Sequence, residues 1–105
     1  MERTHSWHVV CIKTTEPEFD DCRQITEIGY LAPTLRLKPV DVASSMIRSG
    51  LSKFHMEHDG GKRPLLSAKH DRMYVRTLEE DAPEDPLLAL PDVEEYKTQS
   101  RFANL

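Results

Sequence analysis

A chain of 105 residues, 38% hydrophobic and 30% charged, is long enough for one domain with a modest core and too apolar for a disordered polymer. Its net charge is −4, with 12 Lys/Arg against 10 Asp/Glu over residues 1–76 and 2 against 8 over residues 77–105. A near-neutral body with an acidic end argues against general binding to phosphate backbones, which needs a concentrated basic surface, and no run of about 18 apolar residues is present to span a membrane.

The first residues, MERTHSWHVVCIK, lack the apolar stretch of a signal peptide, which implies a cytoplasmic protein. Cys11 and Cys22 are the only cysteines, and in that compartment two thiols are expected to be reduced and structural. SWHVVCIK, residues 6–13, is rich in β-branched and aromatic side chains and predicts a strand. TTEPEFDD reads as a loop, and residues 22–30, CRQITEIGY, as a second strand. Residues 31–39, LAPTLRLKP, are punctuated by Pro33 and Pro39 and read as a connection.

PVDVASSMIRSG, residues 39–50, predicts a helix. Pro39 suits its start, Asp41 sits in the first turn where the dipole favours a negative charge, and Gly50 suits its end. Val42 and Met46, with Ala43 and Ile47 beside them, form the expected apolar face, and Ser44 and Ser45 are expected to face water. Strands follow at 53–57, 64–68 and 73–77, joined by turns at Asp59-Gly60-Gly61 and at residues 69–72. The order β-β-α-β-β-β is α+β, a small mostly antiparallel sheet with one helix packed on a face. Residues 1–91 form that domain, and residues 92–105 are a C-terminal tail or a short helix.

The segments VASSMIRSG, KFHMEHDGG, MYVRT and EDPLLALP occur in that order between residues 42 and 91. Together they resemble a family of small bacterial proteins classed as a domain of unknown function. That family shows a Tyr-Leu-Arg-Thr strand and a closing Asp-Asn-Leu-Leu-x-Leu-Pro. Here those segments are Tyr74-Val75-Arg76-Thr77 and Asp85-Pro86-Leu87-Leu88-Ala89-Leu90-Pro91, with Pro86 in place of the usual Asn. The similarity implies a helix, a three-stranded meander and a closing segment. It implies no particular activity.

The residues themselves offer few routes to chemistry. His55 and His58, with Glu57 and Asp59, are of the right types for zinc, but on a strand the two imidazoles point to opposite faces. They could share a metal only if the strand ended at Glu57. His5 and His8 repeat the spacing. Cys11 sits in a strand, and Cys22 follows two aspartates whose charge opposes thiolate formation. No nucleophile–base pair and no cofactor site is assembled, so the chain does not read as an enzyme.

Arg76 and Thr77 end the last strand, where Arg76 would either pair with Asp85 or Glu84 to pin the next loop or hold an anionic ligand. Leu87, Leu88 and Leu90 are expected to fold back as a clasp over the sheet rather than stand exposed. Tyr96 and Phe102 would serve as anchors if residues 92–105 ordered on binding. The leading expectation is a small non-enzymatic protein-interaction module. It would bind another protein or itself through a sheet edge or the acidic end. In a bacterial or phage setting this includes accessory or inhibitory proteins. The alternatives are a small-ligand or metal-binding protein using Arg76 or the His55–Asp59 turn, and a nucleic-acid-binding protein using Lys62, Arg63, Lys69, Arg72 and Arg76.

Overall fold

The computed structural model describes residues 6–103, with side chains described for residues 6–99. The β-branched run at the start becomes the longest strand, β1 (Ser6–Thr14), at the centre of a five-stranded sheet. On one side it pairs antiparallel with β2 (Ile25–Leu31), which pairs in turn with β3 (Leu35–Pro39). On the other side residues 6–8 of β1 pair parallel with β4 (Lys53–His58), which pairs with β5 (Gly61–Pro64). Helix α1 (Val40–Ser49) makes the crossover that the parallel pair requires. A second sheet holds only the hairpin β6 (Leu66–His70) and β7 (Arg72–Arg76), and α1 packs against it as well as against β2. The C-terminal element is α2 (Val93–Ala103). The fold is α+β, and among the described residues no helix is long and apolar enough to cross a membrane.

The observed order is β-β-β-α-β-β-β-β-α, so the expected strand order holds only roughly. Residues 35–39 are a strand, not part of a connection: Leu35 and Leu37 alternate with Arg36 and Lys38, and a proline at the last position of an edge strand leaves no ladder bond broken. The second strand starts later than expected. Asp21 caps a 3-10 turn at Cys22–Gln24 by accepting from the Arg23 amide, and extended backbone begins only at Ile25. The expected strand 64–68 is split. Pro64 ends β5, Leu65 turns inward while its amide donates to the Phe54 carbonyl at 2.8 Å, and β6 joins the other sheet. Periodicity cannot reveal such a split, because the residues on both sides remain extended.

The helix also sits about one residue out of the expected phase. Val40, Ala43 and Ser44 are buried, whereas Val42 is 43% exposed. Ser44 is accommodated because its hydroxyl shares a 2.8 Å hydrogen bond with that of Ser67 on β6. Gly50 closes the helix at φ 78°, with its amide bonded to the Ile47 carbonyl, as the sequence predicts.

The leucine segment does act as a clasp. Pro86–Ala89 form a 3-10 turn that buries Leu87 and Leu88 in the core with Ile12, Ile28, Phe54 and Tyr74, and Leu90 packs beside them. Beyond His8, β4 no longer covers the flank of β1. The closing segment takes up that flank: the Ile12 amide donates to the Pro91 carbonyl at 3.0 Å, and Ile12 bridges Asp92 in parallel. Val93 then buries its side chain as α2 begins.

One close approach fixes a residue type in the main sheet. Gly29 stands opposite Cys11, and a Cβ there would collide with the Cys11 sulfur and come within 3.2 Å of a Leu35 methyl. Gly29→Ala is expected to destabilise the fold by about 1–3 kcal/mol in urea unfolding. The same change in a Cys11→Ala background should cost markedly less, because the sulfur is gone. Equal penalties in both backgrounds would show that the sulfur is not the obstacle.

Candidate functional site

The end of β7 and the loop after it carry the densest polar network among the described residues. Tyr74 points its hydroxyl at both carboxylate oxygens of Asp81, at 2.7 and 2.8 Å. Arg76 donates through Nη1 to the same carboxylate at 2.9 Å and through Nη2 to the Glu79 carbonyl at 2.8 Å. Arg23, held by Asp21 at 2.7 Å, adds a longer contact of 3.9 Å to Asp81. The partner of Arg76 is therefore Asp81, not Asp85 or Glu84. Both terminal nitrogens of Arg76 are turned inward to organise the loop, and its buried Nε has no hydrogen-bond partner among the described residues. Burial pushes the Asp81 carboxyl up, but the bonds from Arg76 and Tyr74 outweigh it and hold the carboxyl below its ordinary value. The Tyr74 hydroxyl is pushed up to about 12, first by burial and then by its bond to Asp81.

Asp85 does not pair with Arg76 because three backbone amides and the Thr77 hydroxyl claim its carboxylate. Its carboxylate, 2% exposed, accepts from the Thr77 amide (2.9 Å), the Thr77 hydroxyl (2.5 Å), the Leu78 amide (3.2 Å) and the Leu87 amide (2.9 Å). Burial raises its proton affinity, and these hydrogen bonds outweigh burial, so its net shift is downward. Pro86 fits here without loss, since the first position of the turn needs no amide and Asp85 caps the next one. Thr77 and Asp85 thus join the two segments that stood out in the sequence.

The other candidate residues do not converge. His55 is buried and stacks on His8 across the parallel pair, with ring centroids 5.3 Å apart and planes within 4°, while its Nδ1 shares a 2.6 Å hydrogen bond with Ser6. His58 lies beside Asp59 at 3.2 Å, three positions along β4 and so on its opposite face. Among the described residues no three His, Cys, Asp or Glu side chains gather around one point, and His5 lies outside those residues. The His8–His55 contact depends on strand register and has no signal in spacing.

Lys62 and Arg63 lie on β5 and Lys69 on β6, in different sheets, and Arg72 donates to the Arg23 carbonyl at 3.1 Å. Tyr96 is half-buried on α2, and the side chain of Phe102 lies outside the described residues. Both cysteines are buried. Burial, aided by the Asp92 charge, raises the Cys11 thiol to about 11, and burial with the Asp85 carboxylate raises Cys22 further. Neither supplies thiolate at neutral pH.

The surface feature missed by sequence reasoning is the outer face of α1. Leu51 is 71% exposed, immediately after the helix cap, and Val42 is exposed on the same side. With Met46 and Met73 they border a hollow of about 480 Å³ between α1 and β7. The signal was available in part, because a large apolar residue just after a capping glycine has no helix face to join. The chain matches no family model, no curated protein and no solved structure.

Proposed function

We propose that this chain is a small non-enzymatic protein-interaction module whose contact surface is the outer face of α1 with Leu51. The observation that carries the reading is the clustering of Leu51, Val42, Met46 and Met73 around one hollow. Large apolar side chains that meet in an exposed patch are the usual mark of a protein contact, whereas singly scattered ones are not. The sheet edges are poorer candidates. Edge strand β3 ends in Pro39 and carries Arg36 and Lys38, and edge strand β5 is Gly61-Lys62-Arg63-Pro64. Charge and proline on a short strand discourage pairing with another sheet.

Membership of the small bacterial family that Tyr74–Thr77 and Asp85–Pro91 resemble belongs to this proposal. Its support is that the two segments are hydrogen-bonded into one closing unit. The reading places the protein in the cytoplasm, as an accessory or inhibitory partner of a larger protein or of itself. A photo-crosslinking residue in place of Leu51 should label a defined protein species in the source cell, and Val42→Asp should abolish that labelling. The same probe in place of Lys62 should label nothing specific. Equal labelling from both positions would overturn the reading.

A further inference from the structure

We infer that the occupant of this face is a second copy of the same chain, packed antiparallel along α1 across a two-fold axis. The inference rests on the interaction reading above and names its partner. Helix α1 turns Ala43 and Ser44 inward and Asp41, Val42, Ser45 and Arg48 outward. Asp41 and Arg48 are seven residues apart, about two full turns, so they lie on one line along the exposed face. The Asp41 carboxylate bonds only locally, accepting from the Val42 amide at 2.9 Å, and Arg48 makes no ion pair among the described residues.

A face with an acid at one end and a base at the other is complementary to itself when one copy is turned end for end. Asp41 of each copy then meets Arg48 of the other, and the two contacts are identical by symmetry. Ser45 lies midway between them, where a small side chain lets two helices approach closely. The same rotation brings the Leu51 end of one copy toward the Val42 end of the other, which covers the exposed apolar groups of both. The contact then has Ser45 at its middle, an Asp41–Arg48 pair on each side of it, and a Leu51–Val42 apolar approach beside each pair. Each chain carries a net charge of −4, yet this face holds Asp41 with Arg48 and, bordering the hollow, Arg72, so two copies meet where their mutual repulsion is locally offset.

Sedimentation velocity on the full chain, from micromolar to millimolar concentration, tests this. Wild type should shift from monomer to dimer. Asp41→Arg and Arg48→Asp should each weaken dimerisation about tenfold, because each replaces two attractions with two repulsions. An equimolar mixture of the two variants should recover the wild-type affinity, since opposite charges then face each other at both contacts. Leu51→Asp should abolish the dimer, and far-UV circular dichroism should report an intact fold in every variant.

A monomer at all concentrations would overturn the second-copy inference. So would a dimer that ignores both charge changes, or a mixture that fails to recover. The interaction reading stands or falls separately, on whether the probe at Leu51 labels any defined protein species, this chain or another.

Discussion

Replacing Asp85 with alanine is expected to lower the stability of the fold by about 3 kcal/mol. The side chain is 2% exposed and accepts four hydrogen bonds, three of them from backbone amides. Removing it leaves those donors in a buried place without acceptors, and an unmet buried donor costs roughly 1–3 kcal/mol, partly relieved by local rearrangement. Asp85→Asn should cost less, about 2 kcal/mol, because one acceptor oxygen remains while the new amide group faces donors. Urea unfolding measures both. The exposed neighbour is the control: Glu84→Ala should stay within about 0.5 kcal/mol of wild type. A loss below about 1 kcal/mol for Asp85→Ala would show that solvent satisfies the loop without the carboxylate.

The same residue sets a pH dependence. The folded pKa of Asp85 is lowered, so its contribution is fully present above the unfolded carboxylate value, about 3.9, and is lost as pH falls through the folded value. Asp81 and Asp21 shift the same way, with a smaller effect because both are solvent-accessible. Wild-type stability should therefore be steady from neutral pH to about 4 and fall below it, and the difference between wild type and Asp85→Asn should narrow over the same acid range. A gap that stays constant down to the acid limit would mean that the charge on Asp85 is immaterial.

Leu87→Ala is expected to cost about 2–5 kcal/mol, a large part of the 5–15 kcal/mol typical of a whole small domain. Leu87 is completely buried in a core cluster drawn from both sheets, so little can collapse into the space it leaves. The loss should also have a local sign. The Ile12 amide donates to the Pro91 carbonyl, so loosening the clasp should speed hydrogen exchange at Ile12 more than at Ile28, which sits in the β1–β2 ladder. Uniform acceleration across β1 would mean that the segment does not open on its own. Leu90→Ala, at a partly buried position, should cost distinctly less.

Several features were legible because they are local. The alternating β-branched run of β1, the acid, proline and glycine that punctuate α1, and the Asp59-Gly60 turn, with both residues at positive φ, are each determined within a few residues. The burial of Leu87 and Leu88 was legible for an energetic reason, since a soluble chain does not leave adjacent leucines in water when a core is within reach.

What the sequence alone could not decide depends on which segments become neighbours. The phase of α1 is one case: Ser44 goes inward because Ser67 on a distant strand meets its hydroxyl, and no local pattern foretells that partner. Asp85 was singled out in the sequence, but as a counter-ion for Arg76. Its role as a buried hub appears only when the loop closes and backbone amides converge on it, leaving Asp81 to Arg76 and Tyr74. The exposed face of α1 follows from the same shift in phase, since turning Ser44 in turns Val42 out. Local sequence determined which segments are extended, helical or turned, because those states are set by short-range sterics and hydrogen bonding. Only the tertiary structure decided which polar groups are satisfied inside and which apolar groups are left outside, because both depend on contacts between residues far apart in the chain.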